Sequence, residues 1–536
     1  MADTLDSRPH TFSIKLWPPS LPTRQALIER MTNNLSSKTI FTDKFGSLTK
    51  DQAMENAKRI EDVAFSTANQ QFEREPDGDG GSAVQLYARE CSKMILEVLK
   101  KGPVAKASEE VSSASPPRET VFDISKDKRA FIEAEEAEEL LKPLKEDGNG
   151  YTKICFSNRS FGLGAARVAE PILASLKGQL KVVDLSDFVA GRPEVEALEV
   201  MNIFSSALEG SVLSSLNLSD NALGEKGVRA FGTLLKSLSS LEELYLMNDG
   251  ISKEAAQAVS ELIPSTEKLR VLHFHNNMTG DEGAVAIAEV VKRSPLLENF
   301  RCSSTRVGSD GGVALSEALE SCARMEKLDL RDNMFGTEAG VSLSKTLSSF
   351  SHLTELYLSY LNLEDEGAIA IANALKESAS PIEVLEMAGN DITVEAASAI
   401  AACVAAKQEL NKLNLSENDL KDEGCVQIAK SIEEGHLKLQ YIDMSTNYIR
   451  RAGALALAQV VTKKEGFKLL NIDANIISEE GIEEVKEMFK ESPELLGALD
   501  DNDPDGEEED DEEEEEDEEK DELESKLKKL EVNEDD

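Results

Sequence analysis

Residues 213–224 read Leu213-Ser-Ser-Leu-Asn-Leu-Ser-Asp-Asn221-Ala-Leu-Gly224, and relatives of this stretch return down the chain. The next copy is Leu241-Glu-Glu-Leu-Tyr-Leu-Met-Asn-Asp249-Gly-Ile251, and later copies end at Asn277, Asn333, Asn390, Asn418, Asn447 and Asn475. Successive copies are spaced by about 28 residues, a period that belongs to stacked supersecondary units.

Leu213, Leu216 and Leu218 fit a strand and turn whose apolar side chains point into an interior that one unit cannot bury alone. Stacked neighbours bury it as a continuous core, and an Asn at each turn hydrogen-bonds backbone groups that would otherwise go unpaired there. The second half of a unit, such as Ala284 to Val291 or Ala396 to Val404, is alanine-rich at helical spacing and predicts an outer, convex layer. The pattern is that of an α/β leucine-rich-repeat solenoid, a ribonuclease-inhibitor-like horseshoe. Thr305 and Leu361 stand where the Asn is expected, and Asp249 is a milder change. Upstream, Ile154-Cys-Phe156 to Phe161 and Leu180 to Phe188 read as degenerate units, which brings the array to about a dozen. The step from Phe188 to Asn221 is longer than the others, and the extra residues, Val189-Ala-Gly-Arg-Pro193, predict an insertion on the rim.

At 536 residues the chain exceeds one ordinary core, but a solenoid grows by addition. Its formal charge is −44; from Asp500 onward 24 acidic residues face 4 lysines, which leaves much of the acidity in the rest of the chain. Such a chain has little long-range attraction for nucleic acid or anionic lipid and favours basic protein partners. The six cysteines have no Cys-x-x-Cys and no metal-ligand spacing with the five histidines, so no metal site is expected and a reducing compartment is. The N-terminus lacks an apolar signal core and no run is apolar enough to span a bilayer, which predicts a cytosolic or nuclear protein without direct membrane insertion.

In chain order, residues 1–110 predict a small all-α domain. Leu27, Ile28, Met31 and Leu35 repeat at helical spacing, as do Met54, Ala57, Ile60 and Ala64 after a capping box at Thr49 and Gln52; Met94, Ile95, Val98 and Leu99 supply another helix. Phe12-Ser-Ile-Lys-Leu16-Trp17-Pro18-Pro19 precedes them, with Trp17 open to two readings, core anchor or partner-docking surface. Residues 111–120 are a linker, overlapping a Ser-, Ala- and Pro-rich run from Gly102 to Pro117. Residues 121–499 hold the repeats behind a helical cap built on Phe131, Ile132, Ala134, Ala137, Leu140 and Leu141. Ile482, Val485, Met488 and Phe489 form the last helix, and 500–536 are a disordered acidic tail.

No phosphate-binding loop, zinc spacing or nucleophile elbow is present, and Gly162-Leu-Gly164 is only a turn signal. A horseshoe offers instead its concave strands and its rim. On the strands Tyr245, His273, Arg301, Asp329, Tyr357 and Glu386 are expected to face solvent. On the rim, beside the ladder position, stand Asn248, Asn276 and Asp332.

Two resemblances sharpen this. Leu16-Trp17-Pro18-Pro19 with the helices after it resembles the WPP domain found in plants at the nuclear envelope, over roughly the first hundred residues. Val183-Asp-Leu-Ser-Asp-Phe188-Val-Ala-Gly-Arg192, Leu213 to Gly224 and Leu244-Tyr-Leu-Met-Asn248 resemble the Ran GTPase-activating proteins, and the array followed by an acidic tail extends the similarity over nearly the whole chain. The resemblance implies activation in trans of the GTPase Ran, with Ran·GTP as partner and no cofactor or nucleotide site in this chain. It implies that Arg192 is the arginine on which activity depends, holding Ran's surface without acting as an arginine finger. Asn248 orders Ran's glutamine, and Asp332 is an acidic Ran contact; Asn276, Tyr245, His273, Arg301 and Asp329 are further candidates for the Ran-binding surface. The WPP resemblance implies docking through Trp17, Pro18 and Pro19 onto coiled-coil proteins at the outer face of the nuclear envelope, with cell-division structures as a second location in mitosis. Competing classes are a stoichiometric inhibitor or scaffold for a basic protein, and a plain envelope adaptor. Arg192 and Asn248 both lie outside the apolar repeat positions, so the sequence predicts that neither is structural.

Overall fold

The computed structural model describes Pro19 and helical positions between residues 24 and 95, then residues 120–503 apart from 126–128 and 147. Trp17, Pro18, Thr49, Gln52, Val98, Leu99, residues 102–117 and residues 504–536 lie outside the described residues. The chain divides into two compact units, Met1–Pro116 and Pro117–Asp536.

In the first unit Met31, Leu35, Ala57, Ile60 and Ala64 are buried together, at the spacing that the sequence predicts. Met54 differs: it is exposed, and Ala53 one position earlier takes the inward place, because a small side chain allows a neighbouring helix closer. Glu61 sits inside this core, where Arg24 and Tyr87 hydrogen-bond its carboxylate and so offset the cost of burying it.

Among the described residues of the second unit thirteen strands, from Thr120–Asp123 to Leu469–Asn471, form one parallel sheet in which each strand pairs with the next copy. Most are three residues long. Their middle residues stack in register, Leu216 on Leu244, Leu272, Phe300 and Leu328, and all five are buried. Because side chains alternate along a strand, the next register row, Asn217, Tyr245, His273, Arg301, Asp329 and Tyr357, lines the opposite, concave face. Helices such as Gly280–Lys292 and Val394–Ala406 return the chain along the convex side and contain the alanine-rich stretches expected to be helical.

The Asn ladder ties the turns together. Asn277 is representative: its Oδ1 accepts from the amides of Asp249 and Ile251, and its Nδ2 donates to the carbonyls of Leu246 and Phe274. Thr305 fills the same position with a hydroxyl that donates to Cys302 O, whereas Leu361 fills it with apolar volume alone. Asn502, inside the segment expected to be acidic tail, still accepts from the Asn475 amide, so the ladder runs past residue 499.

The cap departs from the expected helix. Phe131 and Ile132 belong to a strand, Ala130–Ile132, paired in parallel with Arg159–Phe161, and only Ala134–Leu140 is helical. The short Ala-Phe-Ile run has strand-forming side chains and a neighbouring edge on which to pair, which outweighs its helical spacing. Behind the cap, Phe156, Phe161, Phe188 and Phe204 pack ring on ring, with Phe188 and Phe204 centroids 4.9 Å apart.

Candidate functional site

The insertion begins where this aromatic core ends. Asn221 Oδ1 accepts from the amides of Phe188 and Val189, so the ladder itself grips the first residues of the inserted loop. The Arg192 amide then closes a turn on Val189 O, Ser160 Oγ donates to Ala190 O, and Pro193 starts the helix Glu194–Leu208. Gly191 has φ +83, and a Cβ there would stand 3.0 Å from the Phe131 ring; both the backbone and the space require glycine.

Arg192 is not the free surface residue that the sequence predicts. Its side chain is only 10% exposed. Nη1 donates to Glu133 Oε1 at 2.6 Å and lies 3.6 Å from Glu196; Nη2 donates to the carbonyls of Ser160 at 2.9 Å and Ile132 at 3.2 Å. The guanidinium also lies 5.0 Å from the Phe131 ring centre. Gly162 explains itself here, because a Cβ at that position would meet both Glu133 and Arg192 within 3 Å. A second fork, Arg129 on Asp187 at 2.6 and 2.9 Å, ties the same cap to the neighbouring rim turn. Arg192 is therefore structural as well as a candidate for function. Glu133, which pairs with it, escaped the sequence reading, and Phe131 was read only as a cap residue, because no spacing links a cap to a loop some sixty residues later. Beside the loop lies a cleft of about 540 Å³, lined by Val189, Arg192, Leu198, Met201 and Leu223 among others.

The rim has a common backbone. Asp187, Asp220, Asn248, Asn276, Ser304 and Asp332 all have φ between 50 and 64. Asn and Asp enter this left-handed region more readily than other side chains, so the identities of Asn248, Asn276 and Asp332 have a conformational cause of their own. Asn248 and Asn276 are brought together: Asn276 Nδ2 donates to Asn248 Oδ1 at 3.0 Å, and Asn248 Nδ2 donates to Asp220 Oδ1 at 2.9 Å. Asp332 is exposed further along the same rim, its amide bonded to Ser359 O.

The concave candidates do share one face, but not all face solvent. Tyr245 and His273 are half-buried and meet edge to face at 5.1 Å. Asp329 and Glu386 are buried, against expectation, because basic neighbours cover them. Arg301 and Arg331 both reach Asp329 at 2.9 Å, Arg331 also reaches Glu386, and Lys412 closes on Glu386 from the other side. Burial and the neighbouring Arg301 push His275 down to about 4, and burial lowers His273 as well. Burial lifts the Cys302 thiol to about 11, which leaves it an apolar filler rather than a nucleophile. Among the described residues no group of His, Cys, Asp and Glu is placed to hold a metal ion, and no helix is long and apolar enough to cross a membrane.

Comparison with known proteins covers both units. The WPP domain family matches residues 13–109, and the Leucine Rich repeat family matches residues 211–232, 351–372, 379–401 and 407–429. The chain is 89% identical over 545 residues to RAN GTPase-activating protein 2 of Arabidopsis thaliana, covering all of both chains. It is 63% identical over 523 residues to RAN GTPase-activating protein 1 of the same plant, covering 97% of each. Its N-terminal part is 39% identical over 92 residues to WPP domain-containing protein 1 of Arabidopsis thaliana, 17% of this chain and 58% of that one.

Proposed function

The chain belongs to the plant Ran GTPase-activating proteins that carry an N-terminal WPP domain, and from that premise we propose that it accelerates GTP hydrolysis by Ran in trans, at the cytoplasmic side of the nuclear envelope, in support of nucleocytoplasmic transport. Full-length similarity to proteins named as activators of Ran carries this reading and favours it over a stoichiometric inhibitor. Residues 121–499 carry the activation, 1–110 the address, 111–120 join them, and the acidic tail follows.

In this mechanism Ran brings its own Mg²⁺, phosphates and glutamine, and the activator supplies position rather than a nucleotide site. Ordering one catalytic group against the attacking water is worth large factors of rate. Asn248 orders the glutamine. Its amide gives one N–H to Asp220 and accepts one bond from Asn276, which fixes its plane and leaves a second N–H for a partner. Arg192 holds Ran's surface in place from the rim loop that carries it; the commitment of its guanidinium to Glu133, Ile132 and Ser160 supports a holding role and not an arginine finger. Asp332 and Asn276 extend the contact along the rim, and Tyr245, His273, Arg301 and Asp329 form its concave flank.

The decisive assay mixes catalytic amounts of the chain with Ran·GTP. Many Ran molecules are expected to turn over per molecule of activator, and deletion of residues 1–110 is expected to leave that rate nearly unchanged. A rate limited to one turnover, in a complex that does not dissociate, would instead identify an inhibitor.

The address lies in the surface around Trp17, Pro18 and Pro19, which docks onto coiled-coil proteins at the outer face of the envelope and, in mitosis, at cell-division structures. Replacing Trp17 and Pro18 by alanine in a fluorescent fusion is expected to disperse the nuclear rim into the cytoplasm. A rim that persists in a folded mutant assigns the targeting to another surface.

A further inference from the structure

Asp249 occupies a ladder position, directly after Asn248, and is fully buried. Its Oδ1 does what a ladder amide oxygen does: it accepts from the Asn221 amide at 2.9 Å, and the Leu223 amide also hydrogen-bonds the carboxyl group. Its Oδ2 stands where the other turns carry an Nδ2 donor, and it has no partner. The register of the repeats fixes what faces that atom. Asn277, Asn418 and Asn475 each donate to the carbonyl thirty-one residues back and to the carbonyl three residues back. For Asp249 these are Leu218 O and Leu246 O. Both are acceptors, and so is an ionised carboxylate.

We infer that Asp249 is held as the neutral carboxylic acid, with its Oδ2–H donating into the ladder, and that this proton positions the rim turn that carries Asn248. An ionised Oδ2 would set negative charge against carbonyl oxygens in a water-free interior, a cost that the fold relieves only by moving the turn outward. The charged neighbour that faces Asp249 from the preceding turn is Asp220, which adds repulsion; the following turn presents the neutral Asn277. Among the described residues no cation pairs with it. Burial, helped by Asp220, holds the carboxyl well above the ordinary Asp range. The turn has somewhere to go: Gly250, with φ +62, is exposed, and among the described residues the side chain of Asn248 is tied only to Asp220 and Asn276. The inference about the proton stands on geometry, while its effect on catalysis rests on the proposed activity toward Ran.

The sign of the pH dependence follows from which state keeps the proton. The unfolded chain releases it near pH 4 and the folded chain only at higher pH, so stability falls as pH climbs between those two values. Asp249→Asn supplies the donor without a titratable proton. It is expected to raise the thermal midpoint at neutral pH by about 2 °C, with the gap from the wild-type chain closing toward pH 4. Wild-type stimulation of Ran is expected to fall as pH rises through the folded value, and Asp249→Asn to lose that inflection. Two readouts need no GTPase: the ¹³C carboxyl resonance that disappears in Asp249→Asn should report a protonated acid at neutral pH, and the Asn248 side-chain amide signals should move with its midpoint. A carboxyl resonance of an ordinary carboxylate, or a less stable Asp249→Asn protein, overturns the inference. Asn248 signals blind to the Asp249 titration overturn the positioning role. If the wild-type chain fails to stimulate Ran, the proposed function falls while the resonances still decide the proton.

Discussion

Alanine at Arg192 is expected to lower the stimulated rate of GTP hydrolysis about a thousandfold, a loss of roughly 4 kcal/mol from activation, and to destabilise the cap at the same time. The first effect follows from the holding role proposed for the rim. The second follows from the bonds: without the guanidinium, the carbonyls of Ile132 and Ser160 and the carboxylate of Glu133 lose their shared donor, at a cost of about 2 kcal/mol. Hydrogen exchange should therefore quicken in Ala130–Ile132 and Arg159–Phe161 but not in the distant repeats. The comparison that separates structure from contact is Asn248→Gly. Glycine accepts the φ of +54 at that position, so the exposed amide can be removed without backbone strain. That variant should lose rate with little loss of thermal midpoint. Arg192→Ala protein that stays folded and stimulates Ran at the wild-type rate would remove the residue-level support for the assignment.

The largest loss of stability is expected at Asn418. Its Oδ1 satisfies the amides of Asn390 and Ile392, and its Nδ2 satisfies the carbonyls of Met387, Leu415 and Ser416, all in the interior. Asn418→Ala strands these groups away from water, for about 3–5 kcal/mol. Because each turn of a solenoid contacts only its neighbours, the loss should stay local. Denaturant unfolding should lose its single transition, the turns around residue 418 opening first, while stimulation of Ran under native conditions changes little. An unaltered unfolding curve would mean that the ladder amides are replaceable by water, and that the ladder does not hold the horseshoe together.

The repeat architecture was legible because it is written locally and many times over. Leu213, Leu216, Leu218 and Asn221 declare a strand, a turn and a ladder bond within nine residues, and a copied unit can bury its apolar face only against another copy. The site was legible in part. Asn248 and Asn276 stand at a rim position that the period itself defines, and the extra length after Phe188 marked the insertion that holds Arg192.

What the sequence alone determined, then, is periodic: the parallel sheet, its helical outer layer, the ladder and the residues that line one register row. What only the tertiary structure decided is where the period breaks. It made a strand of Phe131 and Ile132, placed Glu133 on Arg192, buried Asp329 and Glu386 under arginines and a lysine, and left Asp249 Oδ2 buried without a partner. Each of these depends on which side chain a distant turn brings within about 3 Å, and at that range hydrogen bonds and desolvation, not local propensity, set the energy.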